Sequence, residues 1–108
     1  VHTMKRRRSI LKMVKGYRLQ RSKKERAAKD AIFKAGTYAF RDRKVKKREF
    51  RSLWTLRINA AVREAGFPSY SRFIDALKKK NIALDRKILA TLAKDHPATF
   101  ARVLAQVK

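Results

Sequence analysis

Apolar residues recur along this chain at helical spacing, and nowhere do they alternate over a length useful for a strand. A first helix is predicted from about Thr3 to Lys15, stopped by Gly16, a residue suited to the left-handed C′ position that ends helices. Tyr17–Arg21 reads as a connector. Ser22-Lys-Lys-Glu25 has capping-box spacing, in which the Ser22 hydroxyl accepts from the Glu25 N–H and the Glu25 side chain reaches back. From Lys23 to Ala65 no proline interrupts the pattern, which predicts one helix of roughly 65 Å. Gly36 is its weak point, by about 1 kcal/mol relative to alanine, and the place for a kink. Gly66 and Pro68 end it. Glu25–Lys29, Asp30–Lys34 and Asp42–Lys46 are i, i+4 pairs with the acid first, the favourable order.

Toward the end of this helix Phe50, Trp54, Ile58, Ala61 and Ala65 form an apolar stripe that should face a core. Three short helices are predicted to complete that core. One is capped by Ser69 or Ser71 and carries Tyr70, Phe73, Ile74 and Leu77 on one face. The next is capped by Asp85 and carries Ile88, Leu89 and Leu92. The last opens with Pro97 in its first turn and carries Phe100, Val103, Leu104 and Val107. The predicted fold is therefore all-α. Two helices, the second very long, make a basic arm over residues 1–52, and residues 53–108 make a small helical domain. There is no internal repeat.

Charge changes this picture more than any other property. The 108 residues include 31 Lys and Arg against 8 Asp and Glu, a formal net charge of +23. A single small domain usually carries a net charge of about 2 to 8 in magnitude, so an excess this large repels itself unless a polyanion neutralises it. The excess is concentrated at the start: residues 1–54 hold 20 basic and 4 acidic side chains, residues 55–108 hold 11 and 4. Nucleic acid is the first candidate partner. An anionic membrane is the second, but Arg41-Asp-Arg-Lys-Val-Lys-Lys-Arg-Glu-Phe-Arg51 sends cations in nearly every direction and lacks the wide apolar face of a membrane-surface helix. A solvated surface helix would balance its signs, and a nuclear localisation signal would account for Lys46-Lys-Arg48 alone. No apolar run approaches the roughly 18 residues of a spanning helix, and Met4–Val14 lacks the apolar segment of a secretory signal. The chain opens on Val1, as one that has lost a few residues at its start would. The absence of cysteine leaves no disulfide framework and no thiolate metal site, and fits a reducing compartment.

The candidate RNA-binding residues of the arm follow from this. They are Lys5, Arg6, Arg7, Arg8, Lys12 and Lys15 in the first helix, then Tyr17, Arg18, Arg21, Lys23 and Lys24 around the connector. The long helix adds Arg26, Lys29, Lys34, Tyr38, Arg41, Arg43, Lys44, Lys46, Lys47, Arg48 and Arg51. Arginines fork onto phosphate oxygens or stack on bases, whereas lysines act as point charges. Tyr17, Phe33, Tyr38, Phe40 and Phe50 are interleaved with these cations, and exposed rings can stack on unpaired bases. Phe33 and Phe40, at i and i+7, are instead expected to pack against the first helix, which leaves Tyr17 as the better stacking candidate. The arm has too little apolar surface to offset its ordering entropy, so it is expected to order on RNA, while the domain holds its shape alone.

Catalysis is excluded. An enzyme needs convergent acid/base or nucleophilic groups, and the only histidines are His2, at the start, and His96, a cap or surface residue before Pro97. The carboxylates are scattered, and glycines at 16, 36 and 66 form no phosphate-binding loop. No cofactor, metal or small-molecule substrate is called for. An architectural DNA-binding nucleoid protein would share the charge and the helices, but would bring a dimer interface or apolar wedges, and no exposed wedge is evident. A basic partner for an acidic protein is a further alternative.

From about Ile10 onward the chain resembles the bacterial ribosomal protein L20 family. The matching strings are Gly16-Tyr17, Lys34-Ala-Gly-Thr-Tyr-Ala-Phe-Arg-Asp-Arg43, Phe50-Arg-Ser-Leu-Trp54, Arg57-Ile-Asn-Ala-Ala61, Tyr70-Ser-Arg-Phe-Ile74 and Asp85-Arg-Lys-Ile-Leu-Ala90. The resemblance implies a helical arm threaded into large-subunit (23S-type) rRNA and a small helical domain on the outer side of the subunit. It implies a role early in subunit assembly and neighbouring large-subunit proteins as partners. It also implies a cytoplasmic location in the ribosome, leaving an organellar ribosome open. Some members repress their own messenger. Because both halves of such proteins touch RNA, Arg57, Asn59, Ser71, Lys78, Lys79, Arg86 and Lys87 become secondary contact candidates. The chain departs from the family in having Arg18-Leu-Gln20 where a second glycine is usual, in Pro68 as a one-residue insertion, and in a shortened lead-in.

Overall fold

The computed structural model describes residues 1–107. They form five α-helices: α1 (His2–Met13), α2 (Glu25–Glu64), α3 (Tyr70–Lys79), α4 (Arg86–Asp95) and α5 (Pro97–Val107), with a 3₁₀ turn at Leu19–Ser22 before α2. No strand occurs among the described residues. The chain divides into two compact units, one from Val1 to Val45 and one from Lys46 onward.

In the first unit α1 ends at Met13, two residues earlier than its pattern predicts, because Val14 turns inward and is fully buried. Gly16 then takes φ +93°, open to glycine at little cost, and the Tyr17 N–H donates to the Val14 carbonyl at 3.0 Å. The predicted capping box does not form. Ser22 belongs to the 3₁₀ turn and its hydroxyl donates back to the Leu19 carbonyl at 3.0 Å, so α2 starts at Glu25 without it. Glu25 instead ties the two helices, pairing with Lys29 at 3.0 Å and with Arg6 of α1 at 3.4 Å. The Arg7 guanidinium donates to the Lys23 carbonyl at 2.9 Å beside it. Val14 and Ala28 are the buried residues here, and the alanines at 27, 28, 31 and 35 keep this part of α2 narrow.

Phe33 and Phe40 do not pack against α1. They stand 69% and 60% exposed. A helix face that packs has apolar residues at i+3 or i+4, and between these two lie Gly36 and Thr37. α2 continues through Gly36 as one helix. Of the expected i, i+4 pairs, Glu25–Lys29 is present, Asp42 pairs with neighbouring Arg41 at 2.9 Å rather than with Lys46, and Asp30 makes no ion pair among the described residues.

The second unit holds the hydrophobic core: Ile58 and Val62 of α2, Phe73 and Leu77 of α3, Leu89 and Ala90 of α4, and Phe100, Leu104 and Val107 of α5. Phe73 sits at its centre, its ring centroid 5.8 Å from Phe67 and 5.9 Å from Phe100 in edge-on and tilted arrangements. The α2 stripe is shifted from the predicted one. Trp54 and Ala61 are half-buried, Val62 replaces Ala65, which falls in the turn after the helix, and Phe50 lies a turn beyond the core and is exposed. On α4 Leu89 and Ala90 are buried, Leu92 and Ala93 pack half-buried against the core, and Ile88 faces outward.

Chain reversals in this unit follow from cap chemistry. Gly66, at φ +85°, ends α2: its N–H donates to the Arg63 carbonyl and the Phe67 N–H to the Val62 carbonyl. Asn81, at φ +55°, ends α3 in the same way, with the Ile82 N–H donating to the Leu77 carbonyl. Both are Schellman motifs, and both lay the following apolar residue, Phe67 or Ile82, on the core. Ser69 caps α3, accepting from the Arg72 N–H at 3.5 Å, so of the two predicted serines Ser71 lies within the helix. Asp85 caps α4, its Oδ1 accepting from the Ile88 N–H at 2.7 Å. His96 closes α4, donating its N–H to the Leu92 carbonyl, and Pro97 opens α5.

Candidate nucleic-acid interface

All but three of the candidate contact residues are exposed, and Lys29, Asn59 and Arg86 are half-buried. No polar or charged side chain is buried among the described residues. The four ion pairs found there engage only Arg6, Lys29, Arg41 and Lys79. Most of the 31 cations therefore reach solvent with no intramolecular counter-charge. Where carboxylates do find cations, the effect is visible. The hydrogen bond from Lys29, helped by the charges of Lys29, Arg6 and Arg7, lowers the Glu25 carboxyl below its ordinary value of 4.5. Lys79 lowers Asp75 in the same way, across 2.8 Å.

In the first unit, Lys5, Arg6, Arg7, Arg8 and Lys12 lie on α1, and Lys15, Tyr17, Arg18, Arg21, Lys23 and Lys24 on the connector. Arg26, Lys29, Lys34, Tyr38, Arg41, Arg43 and Lys44 follow on α2. The connector and α2 together form an open cleft of about 520 Å³. Its floor is Ala27, Ala31 and Ala35, at successive turns of α2. Tyr17 and Tyr38 bring rings to it, Arg21 and Lys34 bring cations, and Asp30 brings a carboxylate. Tyr17, proposed above as a stacking residue, is thus placed with Tyr38 by the fold.

Three aromatic rings of α2, Tyr38, Phe40 and Phe50, carry cations on their faces. Arg41 lies 5.0 Å from the Tyr38 centroid, Arg43 and Lys44 lie 5.6 and 5.4 Å from Phe40, and in the second unit Lys46 lies 6.0 Å from Phe50. Such pairs contribute about 0.5–1 kcal/mol at exposed sites, and hold the guanidinium or ammonium beside a flat surface on which a base can stack. Phe33 and Phe40 thus join the candidate contacts that sequence reasoning had assigned elsewhere. The signal was available in the missing apolar residues between them.

On the 100° spacing of a helix, the cations from Arg41 to Arg51 sweep roughly 220° of the circumference, and Asp42, Val45 and Glu49 take the remainder. The charge does not close around the helix as its density suggests. Leu19, 85% exposed at φ +56° between Arg18 and Gln20, is an exposed aliphatic side chain where the sequence showed no evident wedge. The 3₁₀ turn carries it outward.

In the second unit, Lys46, Lys47, Arg48, Arg51 and Arg57 project from α2, Lys78 and Lys79 from the end of α3, and Lys87 from the start of α4. Asn59 and Arg86 hold structure as well. The Asn59 side-chain carbonyl accepts from the Tyr70 N–H at 3.1 Å, and Arg86 Nε donates to the Tyr70 hydroxyl at 2.7 Å. Asn59 and Ser71 meet in a shallow groove of about 440 Å³ that also takes in Ser52, Thr55, Arg63 and Ser69. Hydroxyls, an amide and a single guanidinium suit ribose 2′-OH groups and phosphates. Arg63 was not among the candidates, since only the α2–α3 turn places it there.

Among the described residues no group of three or more His, Cys, Asp or Glu is placed to hold a metal ion, and no helix is long and apolar enough to cross a membrane. The profile of a family described as Ribosomal protein L20 matches residues 1–103. The "Large ribosomal subunit protein bL20" of Syntrophotalea carbinolica is 56% identical over 104 residues, covering 96% of this chain and 87% of that protein. Proteins of the same name from Nitrosomonas eutropha and Trichlorobacter lovleyi are 53% and 54% identical over 103 residues, covering 95% of this chain and 86% and 87% of their own lengths.

Proposed function

The chain belongs to the ribosomal protein L20 family, and from that premise we propose that it is a structural, non-enzymatic constituent of the large ribosomal subunit. It binds 23S-type rRNA, sits in the ribosome beside other large-subunit proteins, and supports early assembly of the subunit. The observation that carries this reading is the exposed positive charge. Of 31 cations, the ion pairs of the described residues engage four. A charge left this open is stable only against a polyanion. Exposed aromatic rings between the cations favour RNA with unpaired bases over a uniform duplex.

The functional division falls between residues 52 and 53, within α2, just after Arg51 ends the dense run of cations. Residues 1–52 form the RNA-binding arm and residues 53–108 a small helical domain with secondary contacts. Competition between a large-subunit rRNA fragment and equal-length random duplex DNA, repeated across a salt series, tests the reading. A strong rRNA preference that persists as salt rises is expected. Equal affinities that collapse together with salt would reduce the protein to a generic polycation.

A further inference from the structure

Resting on the rRNA-binding reading above, we propose that the cleft between the connector and the first half of α2 seats one unpaired RNA base, with guanine the best match. Its volume of about 520 Å³ lies within the roughly 300–1,000 Å³ typical of small-ligand sites. Three alanines spaced by one helical turn make its floor low and apolar, so a flat ring can lie against α2 without displacing a long side chain. Tyr17 and Tyr38 are both exposed at this cleft and supply stacking faces; Arg41 already lies 5.0 Å from the Tyr38 centroid. Arg21 and Lys34 also line the cleft and supply cations for the phosphates flanking such a base.

Asp30 decides which ligand fits. In a chain of net charge +23 its carboxylate makes no ion pair and accepts no side-chain hydrogen bond among the described residues. A carboxylate facing RNA repels phosphate, and a ligand that brings N–H donors offsets that repulsion. The Watson–Crick edge of a base brings them. Guanine presents two adjacent donors, N1–H and the N2 amino group, which match the two carboxylate oxygens. Adenine and cytosine present only an amino group on that edge, and uracil a single N–H.

The test uses the full chain and a short RNA hairpin in three forms: fully paired, with one bulged guanosine, and with one bulged adenosine. The wild-type chain should bind the bulged-guanosine hairpin about tenfold or more tightly than the paired one, the scale of one stacked base. Asp30→Asn should raise affinity for every hairpin, since it removes a negative charge, and abolish the preference of guanosine over adenosine; reading the ratio cancels the charge effect. Tyr17→Leu should lower the bulged hairpins to the level of the paired one, and Tyr17→Phe should restore the difference, with unchanged helicity by circular dichroism in both. Equal binding of bulged and paired hairpins, with the rRNA fragment still preferred to duplex DNA, overturns the base seat and leaves the rRNA reading standing. A bulge preference with a guanosine-to-adenosine ratio unmoved by Asp30→Asn overturns the role of Asp30 and the match to guanine. Loss of all preference for rRNA overturns both readings.

Discussion

Phe73 and Phe40 are the same residue type with opposite duties. Phe73 is fully buried between Phe67 and Phe100, so Phe73→Ala removes a side chain from the centre of the core and leaves a cavity. It should cost about 3–5 kcal/mol, enough to unfold a small domain, read from the urea midpoint of the intact chain. Phe40 has two cations against its ring and no core around it. Phe40→Ala should cost only about 1 kcal/mol, the lost cation–π pairs being partly offset by the better helix propensity of alanine. Its affinity for the rRNA fragment should nevertheless fall by about 1–3 kcal/mol, the contribution of one stacked base, in a filter-binding or fluorescence titration.

At the scale of elements, α2 asks most of its sequence. Gly36 sits mid-helix, and a Cβ built there meets nothing within 4 Å. Gly36→Ala should therefore stabilise the helix by about 1 kcal/mol, seen as a higher thermal midpoint by circular dichroism. A drop in that midpoint would mean that the glycine serves a bend or a close approach of RNA. At the start of α2, Glu25 joins α1 through Arg6, and its folded pKa is lowered by Lys29 and the nearby arginines. The linkage follows the carboxylate sign. Its stabilisation is fully present above the ordinary value of 4.5 and is lost as pH falls through the lowered folded value. Glu25→Gln should flatten that acid limb of the helicity–pH curve and leave the neutral-pH limb unchanged in slope.

For the whole molecule the governing quantity is the unneutralised charge. If half of the 20 cations in residues 1–54 touch phosphate, affinity for RNA should fall with salt at a log–log slope of about −7 to −9. A slope near −3 would confine binding to one local patch. The same charge opposes compaction of the first unit, where Val14 and Ala28 are the buried residues, against nine in the core of the second. Coupled ordering on RNA is the mechanism these numbers favour: phosphates remove the repulsion and the helices of the first unit become fully ordered. Helicity of residues 1–52 alone, measured with and without the rRNA fragment, should rise on binding.

The helices, their approximate ends and the basic character were set by the sequence itself, because apolar period, proline and glycine punctuation, the caps at Ser69 and Asp85, and net charge are local properties. The family was also readable there, since strings such as Thr37-Tyr-Ala-Phe-Arg-Asp-Arg43 do not arise from charge bias alone. Tertiary structure decided what spacing leaves open. It took Ser22 from its predicted capping box into a 3₁₀ turn. It moved the core stripe from Ala65 to Val62, and brought Tyr17, Arg21 and Asp30 to one cleft with Tyr38. Each outcome depends on which groups a neighbouring segment places within reach, and that is a property of three-dimensional proximity rather than of residue order.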